Sequence, residues 1–472
     1  MTATSNKFLH DSERKAFDKT HKSKLLFNIN KYDQTVVKGK LQYQDLELVK
    51  RKAKNIKWKA IENLDKLLLE FEANFMANGG KVIWANDDKE ALNEILKILK
   101  KKNAKTVVKA KSMSTEEIHF NEFLAEHGIE SIETDLGEFI QQLDGEPPYH
   151  IVTPAMHKSK QDVAELFAEK LGTDINLTAE ELTLVAREKL REKYLKAEVG
   201  ISGGNFILPD IGGIAVTENE GNARLSTSFP KTHIVVVGIE KMLNSVNDLH
   251  WIWPLLATYG TGQKVTVYNT IFTGPKKEIE TDGPEEMYVV LLDNGRSKLL
   301  AHADKREALY CIRCGACLNV CPVYKTIGGH TYGTTYSGPI GSIITPHYKG
   351  MEEFKHLSEA STLCGACTEV CPVKINLHKL LLYNRHEAAE EGFTTFSERS
   401  MWKVWRSAML SRNKMDRGNS AIKNAALGIF FKGSWGKRRE MLKFAPKSFS
   451  EQWKEKTWQG IIFKKFNLKY AM

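Results

Sequence analysis

Cysteine spacing constrains this chain more than any other feature. All seven cysteines lie between residues 311 and 371, and the first four form a Cys-x2-Cys-x2-Cys-x3-Cys-Pro motif at Cys311, Cys314, Cys317 and Cys321. This is the spacing of bacterial ferredoxins, in which three thiolates bind one cubane cluster and the fourth binds the other cluster. The motif therefore predicts a module that holds two iron–sulfur clusters.

A second motif repeats the first from its second cysteine onward, but its first position is Ser361. Under the crossed pattern of two-cluster ferredoxins, we expect cluster 1 to be a [4Fe-4S] cluster bound by Cys311, Cys314, Cys317 and Cys371. Cluster 2 then has Cys321, Cys364 and Cys367. Because it lacks one cysteine, cluster 2 is predicted to be either a [3Fe-4S] cluster or a [4Fe-4S] cluster whose last iron binds Ser361, water or a group of a partner.

A zinc site and a purely structural cluster are the alternatives to electron transfer. Zinc sites combine separate cysteine pairs and close with four ligands, which the triple spacing at residues 311–321 does not match. Crossed ligands would hold two clusters close enough for electron hopping, which favours electron transfer. The 42 residues between Cys321 and Cys364 fit a helical ferredoxin module, like those of succinate dehydrogenase and glycolate oxidase iron–sulfur subunits, rather than a compact β-rich ferredoxin.

Short apolar runs alternate with helical patterns before the cysteines. Capping boxes at Ser114 and Thr178, each with a glutamate three residues later, predict two helix starts. Strands alternating with helices indicate βαβ units and a mostly parallel sheet. The predicted strands are residues 82–84, 106–108, 129–134, 150–152, 214–216, 233–237, 265–267 and 288–292.

The chain divides into four predicted parts. These are a helical N-terminal segment at 1–60, an α/β domain at 61–296, a helical ferredoxin module at 297–395 and a helical basic tail at 396–472. Residues 1–50 of the first part are predicted to pack loosely. The tail has 18 Lys and Arg against 5 Asp and Glu, a net charge of +13 that leaves about −3 for the remaining residues. Such a tail is typical of a solvated face or a partner-docking surface. Its tryptophans are Trp402, Trp405, Trp435, Trp453 and Trp458.

Composition and targeting signals exclude several classes of protein. No apolar run approaches the roughly 18 residues that a membrane span needs, and the polar N-terminus does not resemble a secretory signal. A thiolate-bound cluster also needs a reducing compartment. We therefore expect a cytoplasmic protein that is not transmembrane. Because no nucleic-acid-binding motif accompanies the basic tail, no nucleic-acid partner is expected.

Three residues between two predicted strands form a candidate anion or substrate pocket: Glu218, Glu220 and Arg224. They would lie at the carboxyl edge of the sheet, where α/β proteins bind ligands, and a solvated loop is the alternative. The glycines at 200–204, 212–213 and 260–262 match neither a dinucleotide nor a phosphate loop, so ordinary turns are predicted. The histidines that are not spaced as metal ligands, and are predicted to pack or lie at the surface, are His157, His233 and His330.

The run from Ala308 to Tyr324 closely resembles the lactate utilisation protein B family, and so does the Ser361–Pro372 motif with its missing cysteine. Segments at 109–113, 133–138, 282–286 and 292–296 look like the same family, and residues 213–224 with 230–234 resemble its LUD domain. The resemblance covers about residues 55–400. It implies an α/β fold similar to those of sugar-phosphate isomerases and CoA-transferases.

The resemblance also implies a function. The family belongs to a cytoplasmic three-protein system that oxidises L-lactate to pyruvate, so that lactate serves as carbon source. This chain would carry electrons within that system, with a cysteine-rich protein and a LUD-only protein as partners and an unknown electron acceptor. One alternative is a self-contained oxidoreductase with its catalytic site in the LUD domain, although no flavin or nicotinamide fingerprint is visible. Another is an iron–sulfur nucleic-acid-binding sensor, which predicts strong, salt-dependent binding.

Overall fold

The computed structural model describes residues 2–432 and 440–454. They divide into two units, Met1–Glu391 and Gly392–Met472. The first unit contains the cysteines and all nine strands that the described residues form. The predicted boundaries at residues 60 and 296 both fall inside this unit and stay predictions.

A six-stranded sheet lies at the centre of the α/β region. Its order is β1-β9-β7-β4-β2-β3, and every neighbouring pair is parallel. A smaller antiparallel sheet has the order β5-β6-β8. The strands are β1 Lys81–Ala85, β2 Thr106–Lys109, β3 Glu130–Glu133, β4 Val199–Gly203, β5 Phe206–Leu208, β6 Gly213–Glu218, β7 Thr232–Gly238, β8 Tyr268–Phe272 and β9 Glu286–Leu292.

Nineteen helices of the first unit surround the two sheets and form the cysteine region. They are α1 Ala3–Ala16, α2 Lys19–Lys40, α3 Leu46–Glu62, α4 Leu64–Ala77, α5 Asp88–Lys101, α6 Met113–Glu117, α7 Phe120–Glu126, α8 Leu136–Asp144, α9 Lys160–Leu171, α10 Ala179–Lys196, α11 Asn222–Ser228, α12 Leu249–Thr261, α13 Arg296–Ala301, α14 Ala316–Val320, α15 Tyr324–Ile327, α16 Gly338–Lys349, α17 Met351–Glu359, α18 Ala366–Val370 and α19 Leu377–Glu390.

Both faces of the parallel sheet are covered, so its central strand β7 is buried along its length. All seven residues of β7 are buried. Val235 packs on the α4 side with Phe71, whereas its neighbour Val236 packs on the α5 side with Ile95. Parallel strands covered on both faces have this near-continuous apolar pattern. The predicted fold class, a mostly parallel α/β region followed by a helical ferredoxin-like region, is confirmed.

The N-terminal helices contribute to the hydrophobic cluster that surrounds the cysteines. Leu25 and Ile29 of α2 and Ile56 of α3 belong to the same buried cluster as Cys314 and Cys317. Leu25 and Ile29 are fully buried, so the predicted loose packing of this segment is wrong there. The helices that the sequence predicted at 1–60 therefore help to build the core around the cysteines.

Two predicted strands and one predicted helix cap differ from the structure. Residues 150–152 bend instead of extending, because the His150 Nδ1 atom accepts hydrogen bonds from the N–H groups of Val152 and Thr153 at 3.1 and 3.2 Å. The strand predicted at 265–267 begins only at Tyr268. Ser112, not Ser114, caps α6, whereas the capping box at Thr178 is confirmed.

The second unit is helical where it is described. Its helices are α20 Phe396–Met409, α21 Arg412–Asp416, α22 Ser420–Phe430 and α23 Phe449–Lys454. The rings of Trp402 and Trp405 on α20 are exposed and meet edge to face at 5.5 Å. Trp435 and Trp458 lie outside the described residues. Within residues 2–432 and 440–454, no helix combines the length and apolarity that crossing a bilayer requires.

Candidate functional site

Four cysteines from both motifs surround one small cavity. Cys311, Cys314, Cys317 and Cys371 line a space of about 20 Å³. The rest of the lining is largely apolar and includes Ile151. Cys371 joins the three cysteines of the first motif because α18 packs against α14. This is the set that the sequence predicted for cluster 1.

The other three cysteines form a second group. The thiols of Cys321, Cys364 and Cys367 interact electrostatically with one another. Cys321 and Cys367 are buried, whereas Cys364 is exposed. Cys317 also interacts with Cys367, so the two groups are neighbours. The second group therefore lies beside the first and reaches the protein surface at Cys364.

The backbone repeats between the two motifs, which places Ser361 in the position of Cys311. The Cys311 Sγ atom accepts a hydrogen bond from the N–H of the residue two positions later at 3.4 Å, and the Ser361 Oγ atom does the same at 3.1 Å. Those two donors, Arg313 and Leu363, both have left-handed φ angles, of 59° and 53°. The same turn thus holds the Ser361 hydroxyl where a fourth thiol would be.

The buried thiols fit a metal cluster better than free cysteines. Burial raises the pKa of Cys371 to about 12 and that of Cys367 to about 11, and it also raises the pKa values of Cys314, Cys317 and Cys321. Such thiols lose their protons when a metal binds them. Several converging thiolates in an apolar pocket are a donor set that suits iron–sulfur clusters.

A buried ion-pair network lies next to the first cysteine group. The Arg296 Nη1 and Nη2 atoms donate to the two carboxylate oxygens of Glu117 at 2.9 and 2.8 Å, and Arg296 also pairs with Glu240. All three side chains are at most 1% exposed. Burial raises the pKa of Glu240, but Arg296 and Lys241 outweigh it and lower that pKa to about 2. The network ties α6, α13 and the segment after β7 together.

Arg313 connects this network to the first motif. In sequence it lies between Cys311 and Cys314. Its Nη2 atom is 3.4 Å from a Glu240 oxygen, and its guanidinium lies 4.4 Å from the centre of the Tyr336 ring. Its Nε and Nη1 atoms are buried and have no hydrogen-bond partner among the described residues. Lys241, beside Glu240, is only 8% exposed. Lys57 is also buried, and its ammonium donates to the carbonyls of Glu240 and Met242.

A large cavity opens at the carboxyl edge of the parallel sheet. It has a volume of about 320 Å³ and lies where β2, β4 and β7 end, which is the usual ligand position in such sheets. Helix α12 and the ferredoxin module complete its walls. Its lining residues include Lys111, Gly203, Lys241, Ile151, Gly260 and Arg313.

The predicted Glu218–Glu220–Arg224 pocket is only partly assembled. Glu218 and Glu220 line the large cavity, but the Glu218 carboxylate accepts hydrogen bonds from the backbone N–H groups of Ala223 and Arg224 at the start of α11. The Arg224 side chain is not in the lining, and its guanidinium lies 5.3 Å from the centre of the Tyr268 ring. The structure thus places two of the three predicted residues at this cavity.

The histidines follow the predicted packing roles, with one addition. His157 stacks on Tyr149 at 4.3 Å and His330 meets the same ring edge to face. Together with Glu146, these histidines place three potential ligand atoms within 4.8 Å of one another, although Lys158 already pairs with the same carboxylate at 3.1 Å. His233 is fully buried, and its Nε2 atom forms a 2.7 Å hydrogen bond with the Ser202 hydroxyl.

Four charged residues of this region are not recognisable as site residues from sequence patterns alone: Lys241, Arg313, Glu240 and Arg296. Only Arg313 carried a usable signal, since it stands between two predicted cluster ligands. The other three are ordinary charged residues in sequence, and their burial depends on contacts between distant parts of the chain.

Comparisons with known proteins match both the α/β region and the cysteine region of the chain. A LUD domain model matches residues 68–292, and a 4Fe-4S dicluster domain model matches residues 307–375. The chain therefore carries a LUD domain and a 4Fe-4S dicluster domain. A crystal structure of a DUF162 family protein from Deinococcus radiodurans aligns with 48% of this chain and 98% of its own chain. The sequence identity is 13% and the TM-score is 0.28.

Full-length relatives extend the match across both domains. Lactate utilization protein B of Bacillus cytotoxicus is 44% identical over 380 residues, which are 80% of each chain. The protein of the same name from Anoxybacillus flavithermus is 47% identical over 74% of each chain. A relative from Escherichia coli, named uncharacterized electron transport protein YkgF, is 45% identical over 75% of this chain and 74% of its own. The chain belongs to the lactate utilisation protein B family.

Proposed function

We propose that this chain is the iron–sulfur electron-transfer subunit of a cytoplasmic multi-protein system that oxidises L-lactate to pyruvate and so allows growth on lactate. The observation that carries the proposal is the convergence of Cys371 with three cysteines of the first motif around one cavity. Names of the relatives support lactate utilisation and electron transport. The cysteine-rich protein and the LUD-only protein of such a system are the partners that we propose.

The proposal assigns the ligands by the crossed pattern. Cluster 1 is a [4Fe-4S] cluster on Cys311, Cys314, Cys317 and Cys371, and cluster 2 takes Cys321, Cys364 and Cys367. Ser361 is the fourth ligand of a four-iron cluster 2, or cluster 2 has three irons. The shared turn geometry of Cys311 and Ser361 supports the first of these two forms. When bound, the clusters supply one-electron acceptance and release.

The two cysteine groups differ in burial, which indicates where electrons would enter and leave. The thiols of the first group are largely buried, and that group lies beside the large cavity of the α/β region. In the second group Cys364 is exposed, so a partner can approach it closely. We therefore place the electron entry at the buried first group and the exit at the exposed second group.

The direct test is the metal content of anaerobically prepared protein, with sulfide and zinc measured in parallel. Two clusters on this ligand set predict about seven or eight irons per chain, matching acid-labile sulfide and no stoichiometric zinc. The same preparation should be reduced by L-lactate only when the two partner proteins are present. Zinc bound without labile sulfide would contradict the proposal.

The large cavity favours one second candidate, a self-contained oxidoreductase. It is a ligand-sized space at the carboxyl edge of the sheet, next to the cysteines. The two candidates differ in one measurement, turnover of L-lactate by the isolated chain with an artificial electron acceptor. We expect no turnover, because the sequence contains no fingerprint of a hydride-accepting cofactor. Turnover by the chain alone would instead support the self-contained enzyme.

A further inference from the structure

Besides Lys111, which pairs with Asp135 at 3.1 Å, two cations line the cavity at the carboxyl edge of the sheet, and electron transfer between clusters uses neither. Lys241 lines the cavity at 8% exposure and has no carboxylate within 4.0 Å among the described residues. Arg313 lines it too, with its Nε and Nη1 atoms unpaired. We call these two residues the cationic end of the cavity. Buried N–H groups are rarely left without partners, so an acceptor is missing here.

The balance of buried basic and acidic side chains also indicates that an anion is missing from the cationic end. Around the cationic end lie four buried basic side chains but only two buried carboxylates. The negative charges are fully engaged, because Arg296 bonds to both carboxylates. An excess of basic groups over carboxylates in a buried region is costly unless an anion joins it. Burial accordingly lowers the pKa of Lys57 to about 7 and that of Lys241 to about 8. The residues counted are Lys57, Lys241, Arg296 and Arg313 against Glu117 and Glu240.

The cationic end is also separated from the first cysteine group by very little protein. Ile151 lines both the large cavity and the small cavity of the four thiols. Gly260, another lining residue, lies so close to the first motif that a Cβ atom there would be 3.7 Å from the Cys314 carbonyl. A molecule held by Lys241 and Arg313 would therefore lie next to the first cysteine group.

Resting on the proposed function, we propose that the cationic end binds a small 2-hydroxy or 2-oxo carboxylate. The carboxylate accepts hydrogen bonds from the Lys241 ammonium and from the unpaired N–H groups of Arg313. Guanidinium and ammonium groups together are well suited to a carboxylate. The organic acid would then bind in the α/β domain, next to the electron-transfer module.

A competing use of the two cations is to offset the negative charge of cluster 1. Lys50 provides the matched control, because it is a cation of similar burial, at 6% exposure, that interacts with Cys371 but does not line the cavity. Lys241→Met removes one charge near the first group and one cavity donor. Lys50→Met also removes a charge near that group, together with the bonds of Lys50 to Glu47 and the Glu369 carbonyl, but it removes no cavity donor. Lys241→Arg keeps the charge and a donor.

The experiment titrates anaerobic, cluster-loaded protein with pyruvate and with L-lactate by calorimetry, using lactamide as the neutral analogue. We expect wild type to bind at least one of the acids and not lactamide. Lys241→Met should bind about tenfold or more weakly, Lys241→Arg should recover part of the affinity, and Lys50→Met should bind like wild type. The bound acid should also lower the reduction potential of cluster 1 in wild type and less in Lys241→Met.

Two results would overturn the site. One is the absence of binding of both acids to wild type, and the other is equal weakening by Lys241→Met and Lys50→Met. The site is also rejected if the reduction potential of cluster 1 shifts in both Lys241→Met and Lys50→Met while the affinity for the acids stays unchanged. The cations would then serve only to offset the charge of the cluster. All of these outcomes leave the proposed electron-transfer function standing if iron and sulfide are present, whereas zinc without sulfide rejects that function independently.

Discussion

Ser361 occupies the position in the second motif that Cys311 occupies in the first, and the backbone turns at the two positions are alike. Its hydroxyl accepts the same local hydrogen bond as the Cys311 thiol, so Ser361→Cys should place a thiol at the open position without moving the turn. We expect the variant to hold an all-cysteine [4Fe-4S] cluster 2. Electron paramagnetic resonance of oxidised and reduced protein would follow the change.

Ser361→Ala is the matched control for this prediction, because it keeps the backbone and removes the oxygen. If the hydroxyl is the fourth ligand, the alanine variant should shift toward a three-iron signal and lose about one iron per chain. If wild type, Ser361→Ala and Ser361→Cys all give the same two cubane signals, the crossed assignment of ligands is wrong.

Arg296 should contribute strongly to stability because it is the only cation that directly pairs with Glu117 within the described residues. Replacing it by methionine leaves the buried Glu117 carboxylate without a charge partner and leaves Glu240 paired only with Arg313 among the described residues. Breaking a buried pair costs about 3–5 kcal/mol. Arg306→Met is the control, since its pair with Glu62 is 27% and 33% exposed and such pairs contribute about 0–1 kcal/mol. Denaturant unfolding of both variants under anaerobic conditions tests this, and equal losses would contradict it.

His233 makes stability depend on pH in a predictable direction. Burial lowers its pKa from the usual 6.5 to about 3, so the folded chain keeps the ring neutral while the unfolded chain binds a proton below pH 6.5. Stability should therefore fall as the pH falls from 6.5 toward 3. Between pH 7.0 and 5.5, wild type should lose about 1 kcal/mol more than His233→Gln. Identical pH profiles of the unfolding midpoint would show that the ring is protonated in the folded chain.

At the scale of the element, β4 shows why one strand escaped prediction. Val199–Gly203 contains two glycines, which disfavour strands and predicted a turn. It forms because β2 and β7 pair with it on both sides, and because α11 approaches so closely that a Cβ atom on Gly200 would be 1.8 Å from the Ser226 carbonyl oxygen. The glycine therefore serves packing between elements, which periodicity does not reveal.

Gly200→Ala should consequently destabilise the first unit. The new methyl group would force β4 and α11 apart, and overpacking of this kind costs about 1–3 kcal/mol or more. Gly260→Ala is the control, because a Cβ atom there finds only one neighbour, at 3.7 Å, and alanine is the better helix former. Thermal unfolding should show a lower midpoint for Gly200→Ala alone. Equal midpoints would mean that α11 can move away without cost.

Most other elements were predictable because their patterns are local. The apolar strand at 233–237 and the capping box at Thr178 both appear as expected. The failure at residues 150–152 has a different cause, since the β-branched pair Ile151-Val152 favours a strand but the His150 ring binds two backbone N–H groups and holds a bend. Side-chain bonds to the backbone can thus override local preference.

At the scale of the whole molecule, the N-terminal segment and the cysteine region were predicted as separate parts, but they share one hydrophobic cluster. The grouping of Cys371 with the cysteines of the first motif could be predicted because the spacing within each motif is local, and these four cysteines line one cavity. The packing of α2 and α3 against the cysteine region could not be predicted, because those partners are more than 200 residues apart in sequence. The cationic end of the cavity depends on the same long-range packing.

The tail at 396–472 is predicted to dock partner proteins. It combines a net charge of +13 with five tryptophans, and Trp402, Trp405 and Trp453 are about half exposed. Aromatic anchors provide binding energy at interfaces, and charge speeds association. Removing the chain from Phe396 onward should therefore leave the iron content unchanged but weaken association with the partner proteins and slow lactate-dependent reduction.

A double variant separates anchoring from steering in this prediction. Trp402→Ala with Trp405→Ala removes two exposed rings and keeps the charge, so it should speed dissociation of the partner with little effect on the association rate. Raising the salt concentration screens the charge and should slow association in the full chain, but much less in the truncated chain. Iron content and partner pull-down are measured side by side. Unchanged partner binding after truncation would reject docking, and loss of iron would show that the tail is needed to assemble the ferredoxin module.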